Sequence, residues 1–147
     1  MRPAKHAIIS AGVSLCLGVW MKDWLCGWAC FLSGFFIDLD HHIDYFLSEK
    51  KIPFKYQELY DFCSDAQKGR IYLFFHSYEL LALLWSLIFF LPHQGIWLGI
   101  VLGATVHVLC DQIFNPFKKY AYFFTYRMKY GFDKRKLFHE AFIQKKK

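Results

Sequence analysis

Four sets of acidic and imidazole side chains in this sequence each lie at one end of an apolar run. The densest group follows the second apolar run and packs three carboxylates and two imidazoles into seven residues: Asp38, Asp40, His41, His42 and Asp44. Carboxylates at this spacing repel one another, and a divalent cation relieves the repulsion. The group therefore favours a metal site over a solvated acidic turn.

Three smaller sets of ionisable residues accompany this group. His107 and Asp111 lie four residues apart, which on a helix places both on one face, where they can reach a common ion or bond each other. His76 and Glu79 form an i, i+3 pair, similar to the Glu/His spacing of carboxylate-bridged bundles. His6 precedes the first apolar run. Taken singly, each set is also explained by a structural contact or a helix start.

Four apolar segments must position these groups, at 7–21, 24–37, 71–91 and 95–114. The last two are long enough to cross a bilayer, whereas the first two are short and could also form a shallow hairpin or a re-entrant pair. Tight connections at 22–23 and 92–95 join them in pairs. The sequence thus predicts an all-α, integral membrane four-helix bundle of two helical hairpins. Its central loop, 48–70, is predicted to contain a short amphipathic helix near 56–62.

The composition fits a lipid environment better than water. The 147 residues are 56% hydrophobic and 21% aromatic, more than an ordinary small soluble domain can bury. We attribute the net charge of +6 to anionic lipid headgroups rather than nucleic acid, because the basic residues flank apolar runs. Five cysteines, an odd number mostly within apolar runs, argue against a disulfide framework. We expect membrane lipids as partners and no nucleic acid.

The distribution of Lys and Arg predicts an orientation in the membrane. Of 18 such residues, only Lys22 lies outside the N-terminus, the central loop and the segment after Phe117. By the positive-inside rule, both termini and the central loop face the cytoplasm. All four sets of ionisable groups then fall at cytoplasmic helix ends. We expect a multi-pass protein of the inner (plasma) membrane, with a membrane domain at 1–117 and a basic, amphipathic, interfacial tail at 118–147.

The order of these residues along the chain carries a resemblance. His6 is followed by Asp38-x-Asp40-His41, His76-Ser77, His107-x-x-x-Asp111 and Asn115-Pro116. Over residues 6–116 this order resembles the small membrane-bound, metal-dependent hydrolases of the inner-membrane DUF457 family. Ile71 stands where that family often has a further histidine, which implies one ligand fewer. Asn115 and Ile37 replace the family's usual threonine and proline.

Together these groups predict a metal-dependent hydrolase. The expected metal ligands are His6, Asp38, Asp40, His76, His107 and Asp111. Glu79 and His41 are the candidates for general acid or base. One or two Zn, Mn or Fe ions would activate water against a lipid-like or amphipathic ester at the cytoplasmic interface. A phosphoester is suggested only by analogy with zinc-dependent phospholipases C.

Two other functions fit the same pattern. A non-enzymatic metal-binding or ion-coupled transport module would need polar groups along the membrane depth, and four helices would need to oligomerise to enclose a path. Residues 11–18 and 97–103 carry little polarity beyond Ser14, so the one-sided cluster favours surface chemistry. A structural bundle whose polar groups only satisfy one another is the third interpretation.

Overall fold

The computed structural model describes residues 3–145, and helices are the only regular secondary structure among them. The predicted all-α class is confirmed. The described residues form nine α-helices, with a 3₁₀ turn at Ile37–Leu39: α1 Pro3–Met21, α2 Trp24–Phe36, α3 Asp40–Glu49, α4 Tyr56–Ser64, α5 Tyr78–Leu87, α6 Gln94–Phe114, α7 Phe124–Lys129, α8 Lys134–Leu137 and α9 Glu140–Lys145. Helix α4 matches the short helix predicted in the central loop.

The chain divides into two compact units. The first contains the described residues of 1–38 and 78–115, and therefore α1, α2, α5 and α6. The second contains the described residues of 39–77 and 116–147, and therefore α3, α4 and α7 to α9. The predicted division into 1–117 and 118–147 stays a prediction about which segments meet lipid. In the structure, however, the described residues of 116–147 form one compact unit with residues 39–77.

Glycines in α6 allow α2 to approach it closely. Gly99 and Gly103 lie one helical turn apart, and a Cβ added at either would overlap the carbonyl oxygen of Cys26 or of Cys30. Small residues at this spacing let two helix backbones touch, an arrangement common between helices in membranes. The close contact fixes α2 against the half of α6 that precedes His107.

The third predicted helix is shorter than its apolar run. We predicted a helix over 71–91, but α5 begins only at Tyr78 and ends at Leu87. In the second unit, the amide of Leu73 donates instead to the Asp44 carboxylate, at 3.1 and 3.2 Å from its two oxygens. The amide of Phe75 donates to Asp40 at 2.7 Å. Side-chain carboxylates thus take the donors that a helix would use, and residues 71–77 stay non-helical.

This shorter helix corrects one sequence inference. His76 lies before α5, whereas Glu79 lies in its first turn, so the two residues do not form an i, i+3 pair within one helix. The apolar run gave no sign of the boundary, because Ile71 and Leu73 are buried in the second unit as non-helical chain. A buried extended segment and a buried helix have the same apolar composition.

Two helices of the first unit are long and apolar enough to cross a membrane, within α1 (4–21) and α6 (94–114). Only 28% and 39% of their apolar windows are buried in the protein. Large side chains such as Ile8, Trp20 and Ile113 are more than two-thirds exposed, at 73%, 78% and 72%. Large apolar side chains exposed in such number on membrane-length helices favour contact with lipid or with another protein.

Arg127 ties the two parts of the second unit together. Its buried guanidinium donates to the carbonyl oxygens of Leu73 at 2.7 Å, His76 at 3.0 Å and Ala121 at 2.8 Å. A buried cation needs such partners, because removing it from water is costly. Residues 116–145 are therefore a packed part of this unit, joined to the chain around His76.

Candidate metal centre

His107 is oriented by the close packing of α2 on α6. Its Nδ1 lies 2.7 Å from the carbonyl oxygen of Gly34, which can only accept a hydrogen bond. Nδ1 therefore carries the proton and donates it. The carbonyl is within reach because Gly34 and Gly103 face each other, and a Cβ on Gly34 would lie 3.2 Å from the Gly103 oxygen. The contact fixes the ring and leaves Nε2 as the second functional atom.

Two carboxylates face that second nitrogen. Nε2 of His107 lies 3.3 Å from Oδ1 of Asp38 and 3.6 Å from Oδ2 of Asp111. A neutral imidazole presents a lone pair at Nε2, and lone pairs on all three groups would repel. The repulsion is relieved by a proton on Nε2 or by a cation among the three groups. Ligand atoms of Asp38, His107 and Asp111 lie within 4.8 Å of one another, close enough to hold one ion.

His6 adds a fourth ionisable group to this arrangement. Its Nε2 lies 3.0 Å from Oδ1 of Asp111, and its ring stacks on that of His107 with centroids 3.9 Å apart and planes at 14°. Each oxygen of Asp111 therefore faces a different imidazole. Two stacked rings repel if both are positively charged, so one positive charge is the most that the pair holds without strain.

The donor groups of this set favour a cation. Asp38 and Asp111 are both carboxylates, and the two stacked imidazoles repel each other if both carry a positive charge. His6, His107 and Asp111 are no more than 3% exposed, whereas the Asp38 side chain is 24% exposed, so water screens the charge of Asp111 poorly. Buried charge without compensation is costly, and a divalent ion compensates it. Among the described residues, this set therefore fits a metal by its geometry and by the chemistry of its donor atoms.

A second histidine is anchored in the second unit. His76 Nδ1 lies 3.2 Å from Oδ2 of Asp40, an oxygen that also accepts from the amide of Phe75 at 2.7 Å. Because that oxygen already accepts, the imidazole is the donor, and the carboxylate orients His76 as outer-sphere carboxylates orient metal-binding histidines. Oδ1 of Asp40 is buried and has no hydrogen-bond partner among the described residues. The ring of His41 lies 5.3 Å from that of His76, centroid to centroid.

Asp44, from the same acidic stretch, serves the backbone. Its carboxylate accepts from the amide of Tyr72 at 2.9 Å and from that of Leu73. Burial raises the pKa of Asp44 to about 6, and these two hydrogen bonds act in the opposite direction. Three carboxylates of one short stretch thus have different surroundings. Asp38 faces His107, Asp40 supports His76, and Asp44 holds the non-helical chain after Ile71.

The predicted site residues fall into two sets. The first unit brings together His6, Asp38, His107 and Asp111. The second contains Asp40, His41 and His76. That both sets serve one centre stays a prediction, as do the catalytic roles of His41 and of Glu79, which opens α5. His93 and His139, predicted to be surface residues, are exposed.

Sequence reasoning missed Gly34 and Arg127 as supporting residues. The spacing of Gly27, Cys30 and Gly34 against Gly99 and Gly103 was the signal for Gly34, because small residues every third or fourth position mark a close helix contact. Arg127 gave no signal. In sequence it is one basic residue among many in a basic tail.

Comparisons of this chain with family models, with curated proteins and with solved structures found no match. The resemblance to the DUF457 hydrolases therefore stays a prediction, carried by motif order alone.

Proposed function

We propose that this chain is a metal-dependent hydrolase of the membrane, acting at the cytoplasmic interface on an ester or phosphoester of a lipid-like substrate. The observation that carries the proposal is the set of two carboxylates and two stacked imidazoles around Asp111, in which His6, His107 and Asp111 are buried and Asp38 is partly exposed. A structural bundle could satisfy such groups pairwise. Here one carboxylate serves two rings, and a second carboxylate faces the same nitrogen of His107.

The donor set defines the ions that would suit it. Mixed imidazole and carboxylate ligands are taken by Zn, Mn and Fe, and His107, Asp111 and Asp38 would hold the ion. When bound, such an ion lowers the pKa of water and polarises an ester carbonyl or phosphoryl oxygen. His6, hydrogen-bonded to Asp111, would take up or release a proton beside the ion. The hydrogen bond from His107 to the Gly34 carbonyl would hold the His107 ring in place during the reaction.

The surroundings of the set support an amphipathic substrate. His6 lies on α1 and His107 on α6, the two helices that could cross a membrane, and both expose apolar side chains to their surroundings. A substrate that reaches ends of membrane helices is more readily a lipid than a free polar metabolite. The headgroup end would carry the scissile ester.

The competing proposal is ion-coupled transport or metal binding without chemistry. Hydroxyl groups inside the first unit give it little support. Ser14 donates to the Ser10 carbonyl at 2.5 Å, Ser33 to Ile100 at 2.6 Å and Thr105 to Val101 at 2.7 Å. These hydroxyls satisfy backbone carbonyls of their own or a neighbouring helix. The ionisable groups of this unit concentrate instead around Asp111.

Hydrolysis can be tested with the purified full chain in detergent micelles. We expect cleavage of a chromogenic carboxylester or phosphoester to depend on added Zn²⁺, Mn²⁺ or Fe²⁺ and to stop with a chelator. His6→Gln should lower the rate by about 10²-fold or more while metal remains bound, because it removes the proton acceptor beside the ion. His93→Gln, an exposed histidine, is the control and should keep full activity.

Absence of metal-dependent turnover across a broad panel of phosphoesters and carboxylesters, in a protein that holds its metal, would reject the hydrolase and favour the binding or transport module. Full activity of His6→Gln would reject only the role given to His6.

A further inference from the structure

Four aromatic rings form a connected patch in the second unit, around α7. Tyr120 lies 6.4 Å from Phe123 and 6.0 Å from Tyr126, and Tyr126 lies 4.7 Å from Tyr130, between ring centroids. Tyr120 is 53% exposed and Phe123 39% exposed. We call Tyr120, Phe123, Tyr126 and Tyr130 the aromatic patch. So much exposed ring surface in contact marks an interaction site rather than scattered exposure.

The charges of this segment have one sign. Lys119 and Lys129 are exposed, and the ammonium of Lys119 lies 5.7 Å from the centroid of the Tyr120 ring. The sequence has no acidic residue between Asp111 and Asp133. Arg127 is buried on backbone carbonyls and adds nothing to the surface. The patch therefore presents rings and exposed ammonium groups, with no carboxylate of its own segment to repel an anion.

We propose that the aromatic patch binds the anionic headgroup layer of a lipid bilayer. Tyrosine rings have an apolar body and a polar tip, and they concentrate at the level of lipid headgroups. Lysines beside them attract negatively charged lipids over neutral ones. The proposal rests on the membrane placement proposed above. It adds that the C-terminal region, which carries no candidate metal ligand, selects the charge of the lipid.

Single-stranded nucleic acid is the other occupant that rings and lysines can bind, since bases stack on open aromatic faces. Here the rings contact one another at interplanar angles of 46° to 53°, and Lys119 lies over the face of Tyr120. Rings tilted against one another in this way do not present parallel faces on which successive bases could stack. The two membrane-length helices belong to the same chain as the patch, so they would tether the patch to the bilayer that they enter. Lipid is the occupant that these observations favour.

The test uses the full chain in lipid nanodiscs of phosphatidylcholine, with or without phosphatidylglycerol. Lysines are acetylated briefly and read out by mass spectrometry. Lys119 and Lys129 should react severalfold more slowly in the discs that contain phosphatidylglycerol, and salt should remove the difference. Lys68 is the internal reference, because it is exposed but lines a cavity with Asp61 and Asp65, which repel anionic lipid.

Variants test whether the aromatic patch, rather than the basic charge of the chain in general, retains the anionic lipid. Native mass spectrometry of protein released from the mixed discs should count fewer retained phosphatidylglycerol molecules for Lys119→Gln/Lys129→Gln and for Tyr120→Ser/Phe123→Ser. Lys68→Gln should retain as many as the unchanged chain.

Three results would overturn the proposal. The first is equal acetylation of Lys119 and Lys129 in both kinds of disc. The second is unchanged lipid retention in the double lysine variant. The third is protection by single-stranded RNA with none by phosphatidylglycerol, which would make the patch a nucleic-acid site. Failure to enter discs of either composition would overturn the membrane placement as well, whereas entry without lipid selectivity would overturn this proposal alone.

Discussion

Asp111 is the side chain on which the candidate centre depends most, because its two carboxylate oxygens face different imidazoles. Replacing the Asp111 carboxylate by an amide would put an NH₂ donor in place of one of the two oxygens that face the imidazole rings. It would also remove a negative charge. His107 depends in turn on a backbone atom, the Gly34 carbonyl, for its tautomer. The i, i+4 spacing indicated that His107 and Asp111 could meet. It could not indicate the stacking of His6, which depends on how α1 packs.

Lys134 is a second buried charge, and it gives a pH-dependent prediction. Its ammonium donates to the Phe62 carbonyl at 2.5 Å and lies 3.4 Å from the centroid of the Phe62 ring. Burial lowers the pKa of Lys134 to about 8, although carboxylates nearby raise it. Below pH 8 the amine is charged in both folded and unfolded chains. Between about pH 8 and 10.5 only the unfolded chain keeps the proton, so the free energy of unfolding should rise with pH.

Thermal unfolding followed by circular dichroism between pH 7 and 10 measures this effect. Lys134→Met keeps the buried volume but has no titrating group, so its stability should lack the rise seen in the unchanged chain. Lys136→Met, at an exposed neighbour on α8, is the control and should keep it. A rise of equal size in Lys134→Met would show that another group causes it.

At the scale of the elements, the packing of α2 on α6 places the Gly34 carbonyl against His107. Gly103→Ala should therefore disturb the centre from a distance, because its Cβ would overlap the Cys30 carbonyl oxygen and push α2 outward. We expect a loss of about 1–3 kcal/mol in the free energy of unfolding, as for other overpacked sites, together with weaker metal binding. Chemical or thermal unfolding and a metal titration would measure the two effects.

Gly12→Ala is the matched control, because a Cβ at Gly12 has no neighbour within 4 Å. Alanine favours a helix over glycine, so this variant should be as stable as the unchanged chain or more so. Unaltered stability and metal affinity in Gly103→Ala would contradict the close contact of the two helices.

How far the sequence predicted the elements can be judged from two apolar runs. The run at 95–114 is helical over almost its whole length as α6, because its backbone N–H and C=O groups hydrogen-bond to one another within the segment. The run at 71–91 is helical only from Tyr78 to Leu87. There, Asp40 and Asp44 compete for backbone amides from more than 25 residues away. Composition does not report such long-range partners, and the apolar pattern did not indicate α3.

At the scale of the whole molecule, contacts within the first unit bear on the number of membrane crossings. His6 near the start of α1, Asp38 just after α2 and His107 late in α6 meet at one level. Helix α2 therefore returns over the depth that α1 covers, although its 13 residues span only about 20 Å. This return supports a central loop on the same side as the N-terminus, as the Lys and Arg distribution predicts.

Reporter fusions test that topology. Reporters at either terminus or within 48–70 should all read cytoplasmic, because the positive charges concentrate in those segments. A periplasmic reading of the 48–70 loop would mean that α2 does not return across the membrane. It would leave only α1 and α6 as spans and would contradict the proposed four crossings.

Metal content tests the central claim most directly. The full chain, purified after growth with Zn, Mn and Fe, should carry at least one transition-metal ion per molecule by mass spectrometric elemental analysis. His107→Ala and Asp111→Ala should lose most of it while circular dichroism shows the same helicity, and His93→Ala should retain it. A chain that binds none of these metals, or variants at His107 and Asp111 that keep full metal content, would contradict the account.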